Sequence, residues 1–299
     1  MLDERFCAMG TTVHIRTVGG RSTVAQQAQL RLAALESRWS RFRTGSDVSE
    51  LNRSAGHWVP VASETILLLQ RSMDAARATD GRFDPTVGAA LIAHGYDRTF
   101  ADVAQHARDV VPHPAIDASW PAIEIDVATE TACLPPGTVF DPGGIGKGLA
   151  ADLVTQELAD QVDGILVNVG GDVRMSGASG DPAGWVVTID DPFNPEQELT
   201  RLAIPGGAIA TSSKQGRRWQ TSTGSAHHII DPRTGRPAEG TVAAVTVIAA
   251  EAWWAEVQAT SLFLQGPDGL EQADDTIEAL VVLDDGTQLA TPGMGAVLR

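Results

Sequence analysis

Segments with strand periodicity and segments with helical periodicity alternate irregularly along this chain, and that order limits its fold more than any other feature. Apolar or alternating stretches typical of strands cover residues 6–16, 165–169, 185–189, 242–249 and 279–283. Apolar residues recur at helical spacing in residues 22–39, 64–78, 149–158 and 252–263. No internal repeat or low-complexity linker interrupts the sequence. Irregular alternation favours an α/β or α+β fold over a helix bundle or a β-sandwich.

The length and the charge of the chain exclude several classes of protein. A chain of 299 residues, 43% hydrophobic and 20% charged, can form one large domain or two modest lobes. The net charge of −16 and the lack of any run of lysine or arginine argue against binding to nucleic acid or to an anionic membrane surface. No stretch approaches the ~18 apolar residues of a membrane span.

The N-terminus and the cysteines predict a soluble, cytoplasmic protein. Acidic residues follow Met1, where a secretory signal needs a basic start and an apolar run. Cys7 and Cys133 form neither a Cys-x-x-Cys pair nor a disulfide framework. We therefore expect two buried thiols in a reducing compartment.

A glycine-rich segment at 141–148, DPGGIGKG, leads into the predicted helix 149–158. Glycines and the free amides of a helix N-terminus suit a phosphate group. The segment does not fit a Walker A loop, because Asp141 replaces its first glycine and Gly148 stands where Ser or Thr should follow Lys147. Its glycine spacing also fails the dinucleotide-binding fingerprint. A phosphate cradle of another type and a tight turn without a ligand both stay open.

Three other short motifs place polar side chains beside turns. In segment 79–87 a glycine and a proline suit the ends of helices, but they do not explain Asp84. Segment 168–172, NVGGD, suits either a ligand-binding loop at a strand end or a simple hairpin turn. The hydroxyls of 211–213 suit the lining of a pocket, since the Ser-x-x-Lys pattern of a serine nucleophile is absent before Lys214.

Two segments near the C-terminal end carry groups suited to phosphate and metal. Residues 227–237, HHIIDPRTGRP, collect imidazole, carboxylate and guanidinium groups around one turn, although Asp-Pro-x-Thr-Gly is equally good turn chemistry. Glu256 and Thr260 are spaced i, i+4 on one face of a predicted helix. Their oxygens suit a hard cation such as Mg²⁺, and a solvated helix face explains them as well.

Taken together and in this order, these segments resemble the ApbE family of FAD:protein FMN transferases. The resemblance extends over most of the chain, and the motifs that carry it are Met9-Gly10-Thr11, Ser40-Arg41-Phe42 with 46–52, and segments 81–87, 141–148, 168–172, 210–213 and 228–235. Each motif is short, and their shared order makes the resemblance specific.

The resemblance implies an α+β fold with mixed sheets flanked by helices. Residues 1–299 would form a single flavin-transferase domain of two lobes with the flavin site between them. Apart from the resemblance, the irregular sequence of residues 96–121, which contains prolines and histidines, predicts a variable excursion over the surface. The resemblance also implies that FAD is the substrate and is cleaved at its pyrophosphate. FMN would pass to a Thr or Ser hydroxyl of an acceptor flavoprotein through a phosphoester bond, and AMP would leave. Positioning and charge neutralisation dominate such a transfer, and Mg²⁺ is the expected metal.

The family's site residues fall on named positions of this sequence. By position, the FAD contacts are Met9, Phe42, Arg82, Phe83, Asp84, Asp141, Lys147 and His228. The metal ligands fall on Gly144, through its backbone carbonyl, and on Glu256 and Thr260. His228 is the predicted catalytic base for the acceptor hydroxyl, because imidazole can change charge near neutral pH.

The chain departs from the family pattern at several points. Glu256 stands where the family usually has Asp, and Gln258 where it has Leu, which affects the metal site because Mg²⁺ demands near-octahedral geometry. Phe42 keeps the ring of the usual Tyr without its hydroxyl. Many relatives are exported lipoproteins, whereas this sequence shows no export signal, so either the protein acts in the cytoplasm on a soluble acceptor or a signal has been trimmed from the sequence. The altered metal pair keeps open a flavin-binding protein or an FAD pyrophosphatase, and a P-loop nucleotidase is the least favoured hypothesis.

Overall fold

The computed structural model describes residues 1–103, 109–111, 118–222 and 224–299. Within the predicted excursion 96–121, residues 104–108 and 112–117 lie outside the described residues. Its described parts include the buried Tyr96, a short helix at Phe100–Val103 and a 3₁₀ turn at Trp120–Ala122.

The described residues form seven α-helices and seventeen strands. The helices are α1 Thr23–Trp39, α2 Asp47–Arg53, α3 Ser63–Ala78, α4 Gly88–Ala93, α5 Phe100–Val103, α6 Gly146–Leu158 and α7 Ala252–Gln265. The first nine strands are β1 Leu2–Ala8, β2 Thr11–Val18, β3 Val59–Pro60, β4 Glu124–Asp126, β5 Thr131–Cys133, β6 Gly164–Val169, β7 Asp172–Gly177, β8 Trp185–Asp191 and β9 Asn194–Ile204. The others are β10 Gly207–Ser213, β11 Arg218–Thr221, β12 Gly224–His227, β13 Ile230–Asp231, β14 Arg236–Pro237, β15 Val242–Ala249, β16 Glu278–Leu283 and β17 Gln288–Ala290.

All four helices predicted from periodicity are present, as α1, α3, α6 and α7. The single strand predicted over 6–16 is wrong, because Met9 and Gly10 break it into the hairpin of β1 and β2. Both residues have positive φ, 53° and 68°, which matches the twist of a two-residue hairpin turn. The expectation of two buried thiols is also wrong for Cys7, which is free and exposed on the edge strand β1, while Cys133 is free and buried.

The first structural unit comprises residues 1–33, 147–216 and 240–299. Its eight-stranded sheet has the order β1-β2-β6-β7-β10-β15-β16-β17, with antiparallel neighbours throughout. Helix α7 packs against β10 and β15, which explains why most of its side chains are buried. The paired strands β8 and β9 add Trp185 and Leu202 to an apolar cluster that also contains Met175 and Leu280. Burial of this cluster stabilises the sheet against which α7, with Glu256 and Thr260, packs.

The second unit comprises residues 34–146 and 217–239. It contains α2 to α5, the small antiparallel sheet β3-β5-β4 and two short hairpins, β11-β12 and β13-β14. An isolated parallel bridge joins Val87 to Val139. The core around α4 collects the buried aromatic rings of Tyr96 and Trp219. Among the described residues, no helix has the length and apolar character needed to cross a membrane.

Candidate active site

In the first unit, α6 and α7 approach each other closely at Gly148. A Cβ atom on Gly148 would lie 2.7 Å from the backbone nitrogen of Trp253 and closer still to the carbonyl of Ala252. Glycine is therefore required here by the close packing of two helices. The contact brings the first turn of α6 beside the side chains that α7 presents, among them Glu256.

Glu256, Lys147 and Asp172 form one buried charge cluster. The Lys147 ammonium donates to Glu256 Oε1 and to Asp172 Oδ2. The other Glu256 oxygen accepts a 2.8 Å hydrogen bond from the Gly148 amide, at the N-terminus of α6, where the helix dipole favours negative charge. Both acidic residues are almost fully buried, with 4% of Glu256 and 2% of Asp172 exposed. The solvated helix face considered from the sequence is therefore excluded for Glu256.

Two carboxyl groups share a single ammonium in this cluster, so one negative charge has no counter-charge whenever both are ionised. Burial, followed by the negative charge of Asp172, raises the pKa of Glu256, while Lys147 and the Gly148 amide oppose the shift. A divalent cation would supply the missing charge, and carboxylate and hydroxyl oxygens are the ligands that Mg²⁺ takes. The residues present therefore fit the predicted metal.

Thr260 is half-buried one helical turn beyond Glu256 on α7, and its hydroxyl lies 3.1 Å from that of Ser212 on β10. Gly144 lies in the loop before α6 and belongs to the second unit, so its part in the metal site stays a prediction. Groups of three or more His, Cys, Asp or Glu arranged for a metal are absent from the described residues. Any metal site here would thus combine few carboxylates with hydroxyl and backbone oxygens.

Asp152 fixes the start of α7. Its two carboxylate oxygens each accept a 2.9 Å hydrogen bond, one from the Ala252 amide and one from the Trp253 amide. Arg174 on β7 pairs with the same carboxylate at 3.1 Å. Burial raises the pKa of Asp152 to about 6 despite these donors. Asp152 therefore links α6 to the helix that carries Glu256 and Thr260.

In the second unit, Asp141 forms a buried ion pair with Arg41. The Asp141 carboxylate also accepts a 2.6 Å hydrogen bond from the Gly143 amide, which shapes the glycine-rich loop. The Arg41 guanidinium lies 4.2 Å from the ring centroid of Phe42 and 4.7 Å from that of Tyr96. Two predicted flavin contacts, Phe42 and Asp141, are thus organised by one arginine.

Segment 82–84 contains three predicted flavin contacts in different environments. Phe83 and Asp84 are buried, with 4% and 5% of their surfaces exposed. Asp84 Oδ1 accepts hydrogen bonds from the amide and the hydroxyl of Thr86, at 2.7 and 2.5 Å, and burial raises its pKa. Arg82 is half-buried, and no hydrogen bond or ion pair engages its guanidinium within the described residues. Arg82 is therefore the member of this segment whose side chain is available to an anionic ligand.

The two histidines at 227 and 228 differ in their surroundings. His227 is buried, accepts a 3.3 Å hydrogen bond from the Ile229 amide at Nδ1 and lies 3.0 Å from the Ala238 carbonyl at Nε2. This arrangement assigns the proton to Nε2 and holds the ring between two backbone groups. His228 is half-buried, and its amide donates to the Arg217 carbonyl at 3.3 Å. His227 thus has a structural role, and His228 stays the predicted base.

The sequence did not single out several residues that organise these sites. Asp172 was included only as the last residue of a turn motif, and the turn is indeed the β6–β7 hairpin around Gly170 and Gly171. Asp152 carried no signal, and Arg41 appeared only within the motif Ser40-Arg41-Phe42 without a role, because the partners of both residues are distant in sequence. Arg174 lies two residues after Asp172, and the alternation of side chains along a strand therefore places both on the same face of β7.

We predict that replacing two glycines of α6 by alanine changes the stability of the protein differently. Gly148→Ala should lower the free energy of unfolding by about 1–3 kcal/mol or more and move Glu256, because its Cβ would overlap the α7 backbone. Gly146→Ala, whose Cβ would lie 3.4 Å from Pro142 Cβ, should be neutral or slightly stabilising. Chemical denaturation of both variants measures the difference. Equal stabilities would contradict the close approach of α6 and α7.

Comparison with known proteins agrees with the sequence motifs. The model of the ApbE family matches residues 9–281, and the chain belongs to this family. The chain is 30% identical to an FAD:protein FMN transferase of Rhodobacter capsulatus, over 100% of this chain and 58% of that protein. It is 26% identical to one of Vibrio cholerae, over 93% of this chain and 86% of that protein. It therefore spans little more than half the length of the Rhodobacter relative.

Solved structures confirm the predicted α+β fold. The ApbE protein of Thermotoga maritima has a TM-score of 0.88 at 27% identity, with 100% of this chain and 99% of that chain covered. The apo form of the flavinyl transferase ApbE of Pseudomonas stutzeri has a TM-score of 0.81 at 25% identity, with 99% and 96% covered.

Proposed function

We propose that this protein is an FAD:protein FMN transferase that depends on a divalent metal. The observation that carries the proposal is the charge cluster of Glu256, Lys147 and Asp172, because a cation at the start of α6 would balance its second carboxylate when both acids are ionised. The family match over 9–281 supports it and also supports one flavin-transferase domain over 1–299. The relatives cited above bear this activity in their names.

In this proposal Glu256, Thr260 and the Gly144 carbonyl hold Mg²⁺. When bound, the metal neutralises charge on the pyrophosphate and on the leaving phosphate. Lys147 and Arg82 add positive charge for the phosphates of FAD. Contacts with the rest of FAD are assigned to Met9, Phe42, Phe83, Asp84 and Asp141. Phe83 and Asp84 are buried, so they would serve through their backbone and by shaping the loop.

The proposed transfer moves one phosphoryl group between two oxygens. The hydroxyl oxygen of a Thr or Ser on the acceptor protein attacks the phosphorus atom on the FMN side of the pyrophosphate. The bond from that phosphorus to the bridging oxygen breaks, and AMP leaves with the bridging oxygen. His228 accepts the proton of the attacking hydroxyl, so a phosphoester forms without a covalent enzyme intermediate.

Incubation with FAD, Mg²⁺ and a threonine-bearing acceptor peptide tests this function. We expect the peptide to gain the mass of the FMN group as AMP appears, and a Thr→Val peptide to gain none. FMN and AMP without a gain in peptide mass would instead indicate an FAD pyrophosphatase. FAD binding without turnover would indicate a flavin-binding protein, which the departures at Glu256 and Gln258 keep as the second candidate.

We predict that metal-free protein loses thermal stability as the pH rises from about 5 to about 8. The folded-state pKa values of Asp152 and Glu256 lie above their usual values of 3.8 and 4.5, so the folded protein keeps protons that the unfolded chain releases. The stability gained from this proton retention is present at low pH and is lost as the pH passes the folded-state values.

Mg²⁺ should reverse this trend, because it binds the ionised form of Glu256 and therefore stabilises the protein more at pH 8 than at pH 5. Thermal melts across this range, with Mg²⁺ and with a chelator, measure both effects. Melting temperatures that rise with pH in chelator, or that Mg²⁺ leaves unchanged at pH 8, would contradict the prediction.

A further inference from the structure

Asp172 is a buried acid of the charge cluster to which the proposed function assigns no contact with the flavin or the metal. It is the first residue of β7, directly after the turn of the β6–β7 hairpin, and only 2% of it is exposed. Its position is closely fixed, because its register partner is Val169 and the turn is closed by a 2.8 Å hydrogen bond from the Gly171 amide to Asn168 Oδ1. A rigid carboxylate of this kind can hold a flexible lysine.

The Lys147 ammonium is the group that Asp172 holds. Lys147 extends from the first turn of α6 and contacts Asp172 and Glu256 together. Both oxygens of Glu256 are engaged, Oε1 by Lys147 and Oε2 by the Gly148 amide. A metal ion that binds Glu256 must therefore compete with the ammonium of Lys147. How strongly Lys147 competes depends on whether it has a second acidic partner.

Resting on the proposed function, we propose that Asp172 is a positioning residue that holds Lys147 and thereby keeps Glu256 available to a divalent cation. With Asp172 present, Lys147 keeps an ion pair when the metal takes Glu256. Without that carboxylate, Lys147 and Glu256 would form a closed, neutral pair, and binding of the metal would leave a buried ammonium without a counter-charge. Buried ions left in this way are strongly unfavourable.

Metal affinity measured without FAD or acceptor tests this role. Binding of Mn²⁺ to the 299-residue protein is followed by electron paramagnetic resonance of the free ion. Asp172→Asn, which is isosteric, should weaken Mn²⁺ binding by about 10- to 100-fold, as loss of a partner beyond the ligands themselves typically does. The exposed Asp160→Asn serves as the matched control and should bind as the wild type does.

A double-mutant cycle with Lys147→Met separates positioning from direct ligation. If Asp172 acts through Lys147, Asp172→Asn should weaken Mn²⁺ binding by no more than about threefold when Lys147 is already Met, a residual effect of its charge. An equally large loss in both backgrounds would make Asp172 a metal ligand and overturn the proposal.

The folding of each variant is verified by circular dichroism. If Lys147→Met alone is unfolded, Lys147→Gln replaces it in the cycle. If the wild type and Asp172→Asn bind Mn²⁺ with equal affinity, the positioning role is refuted and the proposed function stays intact. Wild-type protein that does not bind Mn²⁺ would refute the metal dependence itself.

Discussion

Glu256→Gln is expected to lower FMN transfer to the acceptor peptide by roughly 100- to 1,000-fold and to abolish its dependence on Mg²⁺. Charge stabilisation by a bound metal contributes several kcal/mol to a phosphoryl transfer, and each ~1.4 kcal/mol corresponds to a factor of ten in rate. Glutamine has nearly the same shape and still offers an oxygen to the Gly148 amide. It removes the charge that a metal needs and the Oε1 acceptor of Lys147, which keeps Asp172 as its partner.

The same substitution should leave the fold intact. Because burial raises the pKa of Glu256, the ionised carboxylate costs stability at pH 8 in the absence of metal, and glutamine removes that cost. Lys147 keeps Asp172 as its partner. We therefore expect Glu256→Gln to melt at the wild-type temperature or above it in chelator, and to gain no stability from Mg²⁺.

Two further variants calibrate the result. Thr260→Val removes a neutral oxygen and should reduce Mg²⁺-dependent transfer less than Glu256→Gln does, while it keeps the volume of the side chain. Glu271→Gln changes an exposed glutamate in the 3₁₀ segment Pro267–Gln272 and should have no effect. Transfer rates measured over a Mg²⁺ titration decide the matter. An unchanged Mg²⁺ dependence in Glu256→Gln would remove Glu256 from the metal site.

Local patterns in the sequence were sufficient to predict the four longest helices and to limit the fold class to α/β or α+β. Helices α1, α3, α6 and α7 could be predicted because the apolar residues that each of them buries recur at helical spacing within one continuous segment of the sequence. The hairpin at Met9 escaped prediction because its first turn residue is a methionine with positive φ, a conformation that non-glycine residues adopt only uncommonly. The short strands β11 to β14 have two to four residues each and carry too few positions to show a period.

The electrostatic design of the candidate site could be predicted only in part. The i, i+4 spacing of Glu256 and Thr260 places them on one face of α7, but it does not tell whether that face is buried. Burial arises because Gly148 admits α7 close to α6, and Gly148 lies 108 positions from Glu256 in sequence. The second acid, Asp172, joins the cluster through Lys147, which is 25 positions away. Such pairings depend on the folded sheet and leave no local pattern.

The resemblance to a family supplied roles that spacing could not, and the structure adds distinctions among them. From sequence position, Arg82, Phe83 and Asp84 are equally good candidates for flavin contacts. In the structure the side chains of Phe83 and Asp84 are buried, whereas the guanidinium of Arg82 is available to a ligand. In the same way, sequence offers His227 and His228 as neighbours of equal standing. The hydrogen bonds of His227 to backbone groups leave His228 as the one whose substitution should affect chemistry rather than folding.

His228→Asn is accordingly expected to lower the rate of FMN transfer by about 10²- to 10⁴-fold, the usual contribution of a general base. Asparagine keeps the polarity and part of the shape of imidazole but cannot accept a proton. FAD affinity should change by less than about tenfold, since His228 would be one of several contacts with the flavin nucleotide. Single-turnover transfer to the peptide measures the first effect, and quenching of flavin fluorescence measures the second.

Two other histidine variants serve as controls and show whether the effect is specific to His228. His57→Asn alters an exposed histidine and should leave the transfer rate unchanged. His227→Asn should lower the melting temperature, because it disturbs the two hydrogen bonds of a buried ring to backbone groups, and any loss of transfer should follow that loss of folded protein. If His228→Asn transfers FMN at the wild-type rate, the proton of the acceptor hydroxyl must leave by another route. If His227→Asn is inactive yet fully folded, the catalytic role belongs to His227.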